Sequence, residues 1–185
     1  MRNFLNFVWE LVKVVAISIA IVVPIRYFIV QPFYVKGASM EPNFHDNEYL
    51  IIDEISYRFN EPKRGDIVVF RYPKNPQEYF IKRVIGLPGE QIQVKDGNVY
   101  LYNGYSEGKI LIEDYLNPEI KTFSINENII DLKPDEYFLL GDNRNSSKDS
   151  RTFGPVNRSF IIGKVFFRGW PFDEMSFFDT PKYLN

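Results

Sequence analysis

The chain has 185 residues, of which 45% are hydrophobic, 17% aromatic and 25% charged. This length suits one compact domain with a terminal appendage, and this apolar content excludes a disordered chain. The net charge of −2 excludes the basic surface of a nucleic-acid-binding protein, and the absence of cysteine excludes disulfides, thiol catalysis and zinc ribbons. Because His45 is the only histidine, we expect no metal site and no cofactor.

The N-terminal segment, residues 1–32, is the most apolar part of the chain. Its uncharged stretch at 14–25 is bounded by Lys13 and Arg26, whose long side chains can extend the usable span to about 20 residues. At about 1.5 Å per residue this length crosses a bilayer core of about 30 Å. We therefore predict one transmembrane helix in a membrane anchor at 1–32. A cleaved signal peptide and a buried core helix are the alternatives.

Residues 33–185 change to short β-type runs separated by turns that contain glycine or proline, such as Leu87-Pro88-Gly89. This pattern predicts a mainly β domain, built as an antiparallel barrel or sandwich. The more polar stretch at about 102–133 is expected to be an insertion on that core. The predicted strands are 49–52, 66–72, 79–85, 91–94, 99–102, 137–140 and 160–167.

Three short stretches contain the residues best suited to chemistry: GASMEP at 37–42, YFIKRVIGLPG at 79–89 and GDNRNSSKDSR at 141–151. Together they resemble the bacterial type I signal peptidases, whose S-M-x-P, K-R-x-x-G-x-P-G and G-D-N-R-x-x-S-x-D-S-R boxes they match in order. Any one box is a weak match, whereas three in order are specific. The resemblance covers the anchor and nearly all of residues 33–168.

The resemblance implies a membrane-bound serine endopeptidase that removes signal peptides from exported preproteins. Ser39 would be the nucleophile, its backbone N–H would bind the oxyanion, and Lys82 would be the general base. Because apolar residues surround Lys82, strand alternation can place its amine on a dry face, where burial would lower its pKa and leave it neutral. A neutral amine within reach of a hydroxyl can accept its proton.

Supporting roles follow from the same resemblance and involve the third box. One hydroxyl would hydrogen-bond and orient the catalytic lysine, and two ion pairs would brace the surrounding loop. The hydroxyl is that of Ser147, and the two ion pairs are Asp142 with Arg83 and Asp149 with Arg151.

Three departures from the family pattern bear on these assignments. Gly37 stands where some members carry a serine whose hydroxyl joins the oxyanion hole, so the Ser39 N–H must carry more of that role. Phe80 replaces a tyrosine, which removes a hydroxyl near the lysine but keeps the apolar packing. Asn43 stands where threonine is common.

Several partners and one compartment follow from this interpretation. The implied partners are preprotein signal peptides and the lipid bilayer, with the export machinery as a further candidate and nucleic acid excluded. We expect a single-pass protein of the bacterial cytoplasmic membrane, with its catalytic domain on the extracytoplasmic side. The charges that flank the span hardly distinguish the two orientations.

Three alternatives remain open from the sequence. A dyad of Ser39 with His45 would relate the chain to eukaryotic-type signal peptidases. An SOS repressor-type autoprotease shares the Ser-Lys chemistry, although it carries a DNA-binding domain in place of an anchor. From a different class, the chain could be a membrane-tethered β-domain that binds partners without catalysis.

Overall fold

The computed structural model describes residues 2–28, 30–102, 104, 107–181 and 183, and among the first 31 residues it describes only the side chains of 4–23. Helix α1 spans Arg2–Phe28, and its 20-residue segment Phe4–Val23 is long and apolar enough to cross a membrane. None of that segment is buried, which excludes the core-helix alternative. Length and composition fit both a membrane span and a signal sequence. Arg26, the predicted boundary of the span, lies outside the described side chains.

The described residues after α1 form twelve strands and two short α-helices, α2 at Ser56–Phe59 and α3 at Ser150–Phe153. In chain order the strands are β1 Val30–Tyr34, β2 Tyr49–Asp53, β3 Ile67–Tyr72, β4 Asn75–Gly86, β5 Gln91–Lys95, β6 Asn98–Tyr102, β7 Lys109–Ile110, β8 Ile130–Asp131, β9 Glu136–Leu140, β10 Val156–Asn157, β11 Ile161–Trp170 and β12 Ser176–Phe177.

The larger sheet has the order β1-β2-β11-β3-β4-β9-β10, with β12 added to β11. Every pair in it is antiparallel. β3 is apolar at consecutive positions, as expected of a strand that is buried on both faces. Ile67 and Val69 pack in one core, and Val68 and Phe70 pack in another. The site described below lies between these two cores.

A smaller antiparallel sheet has the order β7-β6-β5-β8. A third core, which contains Ile85, Ile92 and Phe138, joins it to β4 and β9 of the larger sheet. The described residues of the 102–133 stretch contain only two two-residue strands, β7 and β8, which extend this sheet on both sides. The polar composition of the stretch is consistent with this low strand content.

The prediction of a mainly β, antiparallel fold with an apolar N-terminal helix is confirmed, and each of the seven predicted strands is present. The sheets are open and do not close into a barrel. Sequence patterning missed β1, because 1–32 was assigned to the anchor, and it also missed the two-residue strands. The division into an anchor at 1–32 and a catalytic domain at 33–185 stays a prediction.

The larger sheet leaves the outer edge of β1 and part of one edge of β4 unpaired within the described chain. β1 pairs only with β2, and β4 pairs with β9 only at Arg83, Val84 and Gly86. The segment 75–82 of β4 therefore has β3 on one side and no strand on the other. Four antiparallel steps separate β1 from β4 in the sheet, so the two strands run in the same direction.

Candidate active site

The loop after β1 presents Ser39 at the end of that strand. Met40 and Phe44 are 1% and 0% exposed and anchor the loop in the first core, and the Phe44 N–H donates to the Met40 carbonyl at 3.0 Å. Gly37 has φ +86°, a left-handed conformation that favours glycine. Ser39 itself is only partly buried, so its hydroxyl is held by an anchored loop but remains accessible.

Lys82 approaches the same point from β4. Its Nζ lies 2.8 Å from Ser39 Oγ and 2.7 Å from the carbonyl oxygen of Ile81, which are hydrogen-bond distances. The residue is 3% exposed, and its Nζ lies 5.4 Å from the centroid of the Phe80 ring. The structure therefore brings together the two residues predicted to form the dyad, which are separated by 43 positions in the sequence.

Burial lowers the pKa of Lys82 to about 8, and the charges of Asp149 and Asp142 oppose this shift without cancelling it. Desolvation disfavours a cation, so a substantial fraction of the amine is neutral near that pH. A neutral amine at hydrogen-bond distance from a hydroxyl satisfies both the geometry and the charge that a general base needs.

The Ser39 N–H is one of the backbone donors of this loop that make no hydrogen bond with any described residue. The Gly37 N–H, by contrast, donates to Asp46 Oδ1 at 2.7 Å and is occupied. Since Gly37 has no hydroxyl, a developing oxyanion would depend on backbone donors such as the Ser39 N–H, and this role stays a prediction.

The loop at 141–149 packs directly on the backbone of Ser39. A Cβ at Gly141 would lie 2.4 Å from the Ser39 carbonyl oxygen, so only glycine allows this approach. Asn143 holds the contact with two hydrogen bonds, from its N–H to Ser39 O at 3.1 Å and from its Nδ2 to Ala38 O at 3.0 Å. Sequence reasoning missed Asn143, although it lies inside a quoted box, because the loop gave no indication of its partner.

Arg83 and Asp142 form a buried bidentate ion pair, with Nε–Oδ1 at 2.8 Å and Nη2–Oδ2 at 2.6 Å. The Arg83 guanidinium also donates to Gly65 O at 3.0 Å and lies 3.8 Å from the centroid of the Tyr115 ring. Asn43 completes the cluster by donating from Nδ2 to Asp142 Oδ2 at 2.9 Å. The predicted pair is thus present, and it joins β4 to the start of the 141–149 loop.

Asp149 and Arg151 form the second predicted pair, at 2.8 Å for Nε–Oδ1 and 2.7 Å for Nη2–Oδ2. Asp149 also accepts from the Gly141 N–H at 3.1 Å and caps α3. Ser147 Oγ is buried and makes no hydrogen bond with any described residue. It packs at Gly141, where a Cβ would lie 2.1 Å from Ser147 Oγ, and its role toward Lys82 stays a prediction.

Arg144 is a further buried residue of this loop to which the sequence assigned no role. Its guanidinium pairs with Glu113 at 2.5 and 2.6 Å and donates from Nε to Gly141 O at 3.0 Å. Tyr115 accepts from Arg144 Nη2 at 3.2 Å while it stacks on Arg83. The 102–133 stretch therefore braces the site, and no local pattern could reveal a pair separated by 31 positions.

A groove of about 550 Å³ begins at the dyad and runs between the two unpaired strand edges. One side is formed by the end of β1 and the following residues, the other by β4, and the floor by Leu50 and Val69. The lining is mostly apolar, with charged groups at its rim. Its residues are Phe33, Tyr34, Val35, Lys36, Ser39, Leu50, Val69, Glu78, Tyr79, Phe80, Ile81, Lys82 and Lys148.

His45 lies outside this arrangement. Its side chain is 52% exposed and its Nδ1 lies 3.8 Å from Glu41 Oε1, and it makes no hydrogen bond with Ser39 in the described chain. The Ser-His alternative therefore lacks the contact on which it depends.

Comparisons with known proteins agree on one family. A family model described as "Signal peptidase, peptidase S26" matches residues 8–170. Probable signal peptidase I-2 of Synechocystis sp. is 40% identical over 168 residues, 88% of this chain and 73% of that protein. Signal peptidase IB of Staphylococcus aureus is 35% identical over 185 residues, 91% of this chain and 92% of that protein. A solved signal peptidase I from Enterococcus faecalis has 30% identity and a TM-score of 0.46, covering 57% of this chain and 97% of that one.

Proposed function

Because the chain belongs to the signal peptidase family, peptidase S26, and is a serine peptidase, we propose that it removes signal peptides from exported preproteins with Ser39 as nucleophile and Lys82 as general base. The observation that carries this proposal is the 2.8 Å contact between the Ser39 hydroxyl and a buried amine whose pKa is lowered to about 8.

In the proposed reaction the neutral amine of Lys82 takes the Ser39 proton as Oγ bonds to the scissile carbonyl carbon. The π electrons move onto the carbonyl oxygen, which accepts a hydrogen bond from the Ser39 N–H. When this intermediate collapses, the C–N bond breaks and the Lys82 ammonium gives its proton to the departing amine. Water then attacks the ester carbonyl carbon and passes a proton to Lys82. When this second intermediate collapses, the bond from Ser39 Oγ to the carbonyl carbon breaks, Lys82 returns the proton to Oγ, and the signal peptide leaves with a free carboxylate.

The open edges of β1 and β4 supply the binding site for the substrate backbone. An extended peptide in the groove can add as a strand and hydrogen-bond to both edges, because unpaired N–H and C=O groups flank it. The peptide then runs along both strands to the dyad at their ends. This arrangement lets the backbone provide affinity while side-chain pockets provide selection.

We expect cleavage only where the first and third residues before the scissile bond, −1 and −3, are small. The groove wall formed by Phe33, Val35 and Ile81 leaves shallow apolar space beside the dyad. The test incubates the detergent-solubilised chain with a preprotein carrying Ala at −1 and −3, and with versions carrying Phe at either position. Cleavage of the first alone is expected. Equal cleavage of all three would leave a protease but reject this specificity.

We further propose that α1 anchors the chain in the bacterial cytoplasmic membrane with the catalytic domain on the outer face. The support is the exposed apolar surface of Phe4–Val23 and the position of Ser39 shortly after the helix. Protease added to spheroplasts should digest the catalytic domain and leave an N-terminal fragment in the membrane. Complete protection of the catalytic domain would place it inside, and its release without α1 would indicate a cleaved signal peptide.

The alternatives from the sequence lose their basis. The matched relatives are named signal peptidases, which sets aside both the SOS repressor-type autoprotease and a binding module without catalysis. Contact with lipid and with the export machinery remains part of the proposal.

A further inference from the structure

Lys148 is a charged residue of the groove that the proposed reaction does not use. It belongs to the 141–149 loop, lines the groove and is exposed. No described carboxylate lies within ion-pair distance of its Nζ, so its positive charge is not neutralised by a neighbour.

Two aromatic rings hold this ammonium in place. Its Nζ lies 4.3 Å from the centroid of the Tyr72 ring and 5.8 Å from that of Phe80, distances at which a cation is attracted to the ring face. The two rings are stacked at 4.7 Å with an angle of 10°, and Tyr72 is buried. We call this unit of Tyr72, Phe80 and Lys148 the lysine platform.

The lysine platform lies within reach of substrate residues close to the scissile bond. The centroid of the Phe80 ring lies near both amines, 5.8 Å from Lys148 Nζ and 5.4 Å from Lys82 Nζ. These distances place Lys148 Nζ within about 11 Å of the base, which an extended peptide covers in about three residues at roughly 3.3 Å each.

Strand alternation identifies which substrate residue meets the platform. On β4, Ile81 packs in the first core together with Phe33, while Phe80 packs on the opposite face in the second core. A peptide strand beside β4 likewise turns alternate side chains to the two faces. If −1 and −3 lie against the wall formed by Phe33, Val35 and Ile81, then −2 lies on the face of the lysine platform.

We propose that Lys148 makes the protein select preproteins with an acidic residue at −2 and disfavour those with a basic residue there. This inference rests on the proposed function and adds a charge preference to it. The contact between the Lys148 ammonium and the substrate side chain is electrostatic and partly exposed to solvent. The preference is therefore moderate and falls as the ionic strength rises.

The experiment measures kcat/KM for three otherwise identical preproteins with Asp, Gln or Lys at −2, at low salt. For the natural chain the ratio for Asp over Lys should be about tenfold, since one such contact changes affinity up to about fivefold and the two substrates differ in sign. Lys148→Gln should bring the ratio close to one, and Lys148→Glu should invert it. Raising the salt should shrink the ratio in the natural chain only.

Two matched variants separate this role from a general effect of positive charge. Lys95→Gln removes an exposed lysine of β5 and should leave the ratio unchanged. Lys36→Gln removes the other exposed lysine of the groove, and a ratio that depends on Lys36 but not on Lys148 would overturn the proposal. So would a ratio near one in the natural chain. If the natural chain fails to cleave even the Gln preprotein, the proposed function is wrong and this inference falls with it.

Discussion

Replacing Lys82 by Met should reduce cleavage at least about a thousandfold while the protein stays folded, because general-base catalysis contributes up to roughly four orders of magnitude. Methionine fills nearly the same volume in a site where the lysine is 3% exposed, so packing is kept and only the amine is lost. Ser39→Ala should be at least as severe, since it removes the attacking atom. The double variant should be scarcely worse than either single variant, because the two residues act as a unit.

The natural enzyme should show a pH profile set by the same amine. In the proposed mechanism Lys82 acts as a base only when neutral, and burial lowers its pKa to about 8. Activity should therefore rise about tenfold per pH unit well below pH 8 and level off above it. A midpoint near 6.5, the ordinary pKa of histidine, would point to another base.

His45→Ala is the matched control for this prediction, since its side chain is half exposed and has no contact with Ser39 in the described chain. It should keep activity within about twofold of the natural chain. Substantial activity in folded Lys82→Met, or its loss in His45→Ala, would contradict the dyad. Circular dichroism of each variant shows whether the fold is retained.

Replacing Asp142 by Asn should lower the free energy of unfolding by about 3–5 kcal/mol. The change leaves the Arg83 guanidinium charged and buried without its bidentate partner, which costs more than the pair itself contributes. Because Asp142 also begins the loop that holds the Ser39 backbone, cleavage should fall as well. Urea unfolding of the detergent-solubilised chain measures the first effect.

Two comparisons make this result specific. Lys133→Gln breaks the ion pair with Glu136, in which the lysine side chain is 74% exposed, and should change stability by less than about 1 kcal/mol. The double variant Arg83→Met, Asp142→Asn should lose less than the sum of the single variants, because neither charge is then left unpaired. If Asp142→Asn lowers the free energy of unfolding by less than about 1 kcal/mol, the ion pair of Arg83 and Asp142 does not stabilise the fold as proposed.

Sequence reasoning succeeded where a local pattern carries the information. The apolar neighbours of Lys82 allowed a buried strand position, the resemblance favoured it over an exposed one, and the residue is buried in β4. Short β-type runs likewise predicted the seven longer strands beyond β1, because each buried face of a strand requires apolar side chains at the positions on that face.

The missed features depend on residues far apart in the chain. Glu113 and Arg144 pair across 31 positions, and neither position carries a pattern that indicates the other. The hydrogen bond of Ser147 to Lys82 that the resemblance implies stays a prediction, since the Ser147 hydroxyl lies at Gly141 without a described partner. Nor could alternation predict that β1 and β4 keep open edges, since side-chain pattern reports the faces of a sheet and not its edges.

The two facing edges also restrict what can enter the site. An unpaired edge in water is normally a hazard, because any other exposed strand can pair with it. Here the groove has a strand edge on each side, so a segment that pairs with both edges cannot at the same time pair with neighbours in a sheet of its own. Under the proposed function, a preprotein would therefore be cleaved only where its chain is unfolded, and domains that have already folded would not enter the groove.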